Sequence, residues 1–349
     1  MIKMKVKAYI RVLVAILTAV SLVAACSKVE HTSANNEIVL SPFGTALTRA
    51  NLTPLGTDKV FGVYAYSVDC EGGVEWNNPM AWGKASEYLS NVAFNYKSER
   101  YWAGATTPYY WPFSGSLMFS GYCPHQSAPK DGATITDVTL VQNKEENNPY
   151  LQIAFTQKKA PSDMVDLLWF DMKDVAGGKT LAQTSDPISI NFQHALSKVS
   201  FAFIDSRNYY KLESVILKGV VNQGTFYSGN TAGWMPELAL ETLADYNLLP
   251  GSQNTTLNGW FSDNLYVIPQ YLDGIFPTIG ETLDSGVDVV LEFTVLGSDF
   301  GRQTIEILLK DYTVRWEIGK SYHYTITANA DPIEFGTPAF SITTQTVSM

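Results

Sequence analysis

Val287-Asp288-Val289-Val290-Leu291-Glu292-Phe293-Thr294-Val295 decides the fold class, because Val287, Val289, Leu291, Phe293 and Val295 recur at every second position. Side chains of a strand point alternately to its two faces, so this stretch reads as a half-buried β-strand. After the turn at Gly297 to Gly301 the pattern repeats in Ile305, Ile307 and Leu309, and after Gly319-Lys320 in Tyr322, Tyr324 and Ile326. Upstream, Val199, Phe201 and Phe203 alternate with Ser200 and Ala202, and Phe61, Val63 and Ala65 alternate with Tyr64 and Tyr66. A slip of one residue would turn each apolar set to water, so register is strongly specified. Short alternating runs punctuated by Gly, Pro, Asn and Asp predict an all-β sandwich architecture.

Two stretches depart from the pattern. Pro236 to Asn247 spaces Leu238, Leu240, Leu243 and Ala244 almost helically and reads as a short helix or an irregular loop; Trp76 to Tyr88 reads as a cap on the first sandwich. Between Asp174 and Asp186, Gly177-Gly178 favours a turn and Pro187 restricts its predecessor. The expected domains are therefore 37–183 and 184–349.

At the N-terminus, Lys3, Lys5, Lys7 and Arg11 precede an uncharged apolar run from Val12 to Ala25, the organisation of a signal peptide spanning 1–25. The run is short for a permanent membrane span. Leu22-Val23-Ala24-Ala25-Cys26 resembles a bacterial lipobox, which makes Cys26 the expected acylation site and the first mature residue. Several acyl chains, at about 0.8 kcal/mol per buried methylene, hold a protein on a membrane without spanning it. Residues 26–36 are polar and aperiodic, a tether from lipid to domain.

Removal of the signal leaves 20 basic and 34 acidic residues, a net charge of −14. That balance argues against nucleic acid or anionic lipid as a partner. Cys70 and Cys123 can pair in an oxidising compartment or remain buried thiols. Of the four His residues, His31 lies in the tether, His194 reads as a hydrogen-bonded structural residue at a strand bend, and His323 is expected to face solvent. No nucleotide-loop, zinc-protease or nucleophile-elbow motif occurs, and Asp163/Asp166 and Asp284/Asp288 read as loop charges. The expectation is no catalytic residue, no metal and no cofactor. Trp76, Trp82, Trp102, Tyr109 and Tyr110 cluster in sequence and form the candidate face of an alternative, a surface glycan-binding lipoprotein.

An ordered series of short segments runs through the chain: Leu40-Ser41-Pro42-Phe43 with Ala46-Leu47-Thr48-Arg49, Phe61-Gly62-Val63-Tyr64-Ala65-Tyr66, Tyr110-Trp111-Pro112 with Leu117-Met118-Phe119, and Asp166-Leu167-Leu168-Trp169. It continues through Ile190-Asn191-Phe192-Gln193-His194-Ala195-Leu196-Ser197-Lys198-Val199, Gly224-Thr225-Phe226, Gly233-Trp234, Val267-Ile268-Pro269-Gln270 and Trp316 to Ile326. In this series the chain resembles fimbrillin-like lipoproteins, the type V pilus subunits of Gram-negative anaerobes. The resemblance implies two tandem transthyretin-like Greek-key β-sandwich domains and an outer-membrane or fimbrial location. It implies adhesion as the function and other fimbrial subunits as partners, joined by strand exchange. In the family, cleavage after an Arg near the first strand opens the acceptor groove; Arg49, followed by Ala50, stands at that place. Phe340, Ile342 and Thr344 alternate either as a donor strand or as the chain's own last strand. A chain without a separable donor would take a terminal place in the fimbrium.

Overall fold

The computed structural model describes residues 37–42, 55–68, 85–98, 101–112, 116–143, 148–171, 187–229, 232–249, 259–260, 262, 264–276, 280–283, 286–297, 301–328 and 340–349. Among them there is no α-helix, only strands and isolated 3-10 turns. The first half contains β1 (Leu40–Ser41), β2 (Phe61–Val68), β3 (Ser86–Ser98), β4 (Tyr101–Gly104), β5 (Ser116–Cys123), β6 (Ile135–Asn143), β7 (Asn148–Thr156) and β8 (Leu168–Phe170). There follow β9 (Ile188–Ser189), β10 (Gln193–His194), β11 (Ser197–Ile204), β12 (Tyr210–Val221), β13 (Gln223–Tyr227), β14 (Gly233–Pro236), β15 (Leu243–Asn247) and β16 (Gly259–Trp260). The chain ends through β17 (Leu265–Val267), β18 (Ile275–Phe276), β19 (Glu281–Thr282), β20 (Asp288–Val295), β21 (Arg302–Leu308), β22 (Lys320–Ala328) and β23 (Phe340–Ser348).

Eight strands form one sheet in the order β10-β8-β5-β2-β3-β4-β1-β9. Its edge strands β9 and β10 are joined by only Ile190, Asn191 and Phe192, a link that reaches at most about 14 Å. A flat sheet of this size would hold its edges roughly 34 Å apart, so the sheet is rolled. Phe61, Val63, Ala65, Phe94, Trp102, Phe119, Phe170, Ile188 and Ile190 fill its interior. Tyr64 and Tyr122, pointing the other way, pack with Trp169 against Leu151, Ile153, Phe155 and Phe226 of a second sheet, β14-β13-β7-β6. Strand β2 is consequently buried on both faces, with Tyr64 and Tyr66 as inaccessible as Phe61.

The C-terminal sandwich packs β16-β11-β22-β23, with β17 also on β11, against β15-β12-β20-β21. Its core contains every apolar position of the quoted alternation, from Val287 to Val295, together with Phe201, Tyr210, Tyr324 and Ile326. Among the described residues three strand pairings cross between the halves of the chain: β9 on β1 and β10 on β8 complete the rolled sheet, and β13 pairs with β7 from Gln223↔Thr156 to Tyr227↔Gln152.

Pro236 to Asn247 forms neither a helix nor a plain loop. A 3-10 turn at Leu240–Thr242 is closed by Thr242, whose hydroxyl accepts from the Ala239 amide (3.0 Å), and β15 follows with Ala244 and Tyr246 inward. Residues 69–84, most of the expected cap, lie outside the described residues, and Tyr88 belongs to β3.

Candidate functional site

The segment 37–42 has Ile38 and Leu40 fully buried while Glu37, Val39 and Ser41 are half-buried, the alternation of a strand with one face in a core. Its neighbours bond it on both sides. The Ile38 amide donates to Tyr109 O (2.7 Å), Glu37 bridges Tyr110, and Leu40 pairs antiparallel with Trp102. On the other flank the Ile188 amide donates to Val39 O (3.0 Å) and the Ile190 amide to Ser41 O (2.9 Å), in a parallel pairing with β9. A first strand inside a sheet leaves two open ladders and an apolar slot wherever it is withdrawn. The floor of that slot is aromatic: the Trp102 ring lies 6.2 Å from Phe61 and 5.1 Å from Tyr96, and Phe61 lies 5.8 Å from Phe94.

Arg49 and Ala50 lie outside the described residues, as do Cys26, Trp76 and Trp82. The structure separates the remaining aromatic candidates. Trp102 is fully buried and its indole N–H donates to Lys59 O (3.2 Å), so it offers no ring face to a sugar and leaves the glycan-binding set. The cause is position: Trp102 sits opposite Tyr96 on the inward face of β4, where sequence clustering looks the same as surface clustering. Tyr109 is half-buried against that core, its ring over Gly104, where an added Cβ would meet it at 2.8 Å. Tyr110 is exposed, and beside it stands exposed Tyr88, whose hydroxyl donates to Tyr110 O (2.6 Å).

Phe340, Ile342 and Thr344 lie on β23, which pairs with β22 at nine positions from Lys320↔Ser348 to Ala328↔Phe340. The Phe340 ring packs 5.3 Å from both Tyr210 and Phe293, and Ile342 is buried. The segment thus lies on the edge of the C-terminal sandwich, against the core of its own chain.

The described histidines are bound by neighbours. His194 Nδ1 lies 2.7 Å from Asp166 Oδ2. Burial raises the Asp166 carboxyl above its ordinary range, a shift that the His194 hydrogen bond opposes. His125 bonds Ser127 and Asn91 O, and burial lowers its imidazole. His323 is half-buried rather than facing solvent, because its ladder partner Ser200 reaches Nδ1 at 2.6 Å and Ser321 reaches Nε2 at 3.2 Å. Among the described residues no three His, Cys, Asp or Glu side chains converge on a point. Cys123 is a buried free thiol, raised by desolvation. The residues that sequence reading left without a role are Ile38, Ile188 and Ile190; the Ile38/Leu40 alternation before Pro42 is the signal that marks the first of them.

A family model described as fimbrillin-like matches residues 48–344. No curated protein matches the chain. Among solved structures, a candidate cell adhesion protein from Bacteroides uniformis is 16% identical, with 90% of this chain and 99% of that chain covered at a TM-score of 0.50. The tip fimbrial protein Mfa3 of Porphyromonas gingivalis, with a C-terminal truncation, is 11% identical over 84% of this chain and 95% of its own, at 0.37. The fimbrial anchor protein Mfa2 of the same organism is 10% identical over 88% and 96%, at 0.35.

Proposed function

The chain belongs to the fimbrillin-like family, and we propose that it is a surface-displayed fimbrial subunit that exchanges its first strand for a strand of a neighbouring subunit. The observation that carries this reading is the seat of β1. It is the first described strand, it lies inside a sheet, and it is bonded on both flanks, with Ile38 and Leu40 at zero exposure. Cleavage after Arg49 would cut the covalent link between β1 and the rest of the sheet. A replacing strand would then restore both ladders and the core, the physics of β-augmentation. Cys26 would tether the uncleaved chain to the outer membrane. The role is structural and adhesive rather than catalytic. The complete pairing of β23 with β22 supports a subunit that keeps its own last strand and takes a terminal place.

The test uses the mature chain bearing Cys26→Ser, digested with an Arg-specific protease and followed by mass analysis and size-exclusion chromatography. A single cut after Arg49 with loss of the N-terminal fragment into higher assemblies is the expected result. Resistance at Arg49, or a cut that leaves a stable monomer, would overturn the exchange mechanism. Exposed Tyr88 and Tyr110, side by side, favour glycan binding as a second reading; it is checked by titrating sugars against Tyr110→Ala.

A further inference from the structure

Every open sheet edge exposes unpaired N–H and C=O groups, and proteins blunt such edges with charge, proline, bulges or short length. The described edges of this chain follow that rule with one exception. Strand β21 carries Arg302 and Glu306, with Arg302 reaching Glu213 and Glu292. Strand β6 carries Asp137 beside a register shift. Strand β14 has four residues and ends in Pro236, β15 has five and contains Asp245, and β9, β10 and β16 have two each. Strand β23, Phe-Ser-Ile-Thr-Thr-Gln-Thr-Val-Ser, has nine residues, no charge, no proline and an unbroken register. No described strand covers its outer side.

The direction of its backbone groups follows from one bond. The Met349 amide donates to Gly319 O (2.9 Å), which continues the β22–β23 ladder by one pair. In an antiparallel ladder alternate residues bond the partner, so 341, 343, 345 and 347 face β22, while Ile342, Thr344, Thr346 and Ser348 direct their N–H and C=O groups to the open side.

We infer that β23 is a lateral docking edge whose occupant is the β23 of a second copy, paired antiparallel about Thr344. This register places outward-directed residues opposite one another: Thr344 faces its counterpart and Ile342 faces Thr346. On the exposed face Thr343 meets Gln345 and Ser341 meets Val347. No like charges are opposed anywhere along the strand, and Thr opposite Thr is a favourable cross-strand pair. Lys320, whose Nζ donates to Ser348 Oγ (2.9 Å), stands at one end of the strand, so two copies place their lysines at opposite ends of the joint. Self-pairing of β21 would lack this neutrality. The contact is a single strand's width, so it is a weak joint that gains strength when many subunits are aligned side by side. It requires no cleavage at Arg49 and is independent of the exchange of β1.

The experiment is sedimentation velocity on the uncleaved mature chain bearing Cys26→Ser, from micromolar to near-millimolar concentration. The wild type is expected to form a concentration-dependent dimer that strengthens with salt, since both copies are acidic and salt screens their repulsion. Thr343→Lys/Gln345→Lys and Thr343→Glu/Gln345→Glu each oppose like charges across the joint and weaken it by about tenfold or more. An equimolar mixture of the two variants restores the dimer. Hydrogen exchange on the wild type supplies a readout that does not depend on the variants: the amides of Ile342, Thr344 and Thr346 become protected with rising concentration. A wild type that stays monomeric throughout, a dimer indifferent to the charges, or a mixture that fails to recombine would each overturn the inference.

Discussion

Leu40 on β1 faces Trp102 on β4 across an antiparallel ladder, and both side chains are fully buried. The first strand is therefore part of the rolled sheet's core as well as of its hydrogen bonding. Leu40→Ala is expected to destabilise the uncleaved chain by about 2–5 kcal/mol, the range for a large-to-small change in a packed core. Urea denaturation followed by tryptophan fluorescence measures it. The same substitution should have no effect in a subunit whose β1 has been replaced by a partner's strand. An effect below about 0.5 kcal/mol in the uncleaved chain would mean that β1 is not held by its core face.

Phe340 secures the other end of the chain. Its ring meets Phe203 at 6.2 Å, Tyr210 at 5.3 Å and Phe293 at 5.3 Å, joining β23 to both sheets of the C-terminal sandwich. Phe340→Ala, which removes a half-buried ring, should cost about 2–3 kcal/mol, below the range for a fully buried Phe. Val347→Ala, at an exposed position of the same strand, should stay within about 0.5 kcal/mol. Equal effects at the two sites, compared by urea midpoints, would contradict a strand anchored at its first residues.

The strands of the C-terminal sandwich were legible because one of their faces is wet: Val287 to Val295 alternates, and so do Ile305, Ile307 and Leu309. Where both faces are dry the same signal loses meaning. Tyr64 alternates away from the Phe61 face of β2 but is covered by the β14-β13-β7-β6 sheet, whose pairing of β13 with β7 joins residues far apart in sequence. No local pattern encodes that contact. Trp102 misleads for a related reason: aromatic residues suit a sugar platform and a rolled-sheet core equally well, and it is the register opposite buried Leu40 that assigns it inward. Alternation alone places His323 on the exposed face, yet β22 is an interior strand whose neighbour supplies Ser200. The seat of β1 was half legible, since Ile38 and Leu40 alternate while their partners Tyr109 and Ile188 come from distant segments.

Cys123 points into the rolled sheet, with its Sγ 3.7 Å from Val60 O, and burial pushes its thiol up. The thiolate is the reacting species, so both access and ionisation protect this side chain. In a Cys26→Ser/Cys70→Ser background, a thiol reagent at neutral pH should label Cys123 only as fast as the sheet opens, and urea should restore full reactivity. Rapid labelling of the folded protein would place Cys123 outside the core.

Asp166 and His194 tie β10 to the segment before β8, close to where the chain passes from the rolled sheet into the C-terminal sandwich. One carboxylate oxygen bonds His194 Nδ1, whereas Oδ1 is buried without a partner among the described residues. Burial raises the carboxyl most strongly, against the opposing effects of His194, Lys198 and Lys59. A carboxyl raised in the folded state binds its proton more tightly there than in the unfolded chain. Its contribution to stability is then full below the ordinary value of about 4 and is lost as pH climbs through the raised folded value. Wild-type stability should accordingly fall relative to Asp166→Asn as pH rises from about 4, the amide having no proton to lose. Urea midpoints of the two proteins across a pH series measure the difference. Parallel curves would show that His194 and the lysines neutralise the cost of ionising Asp166 completely.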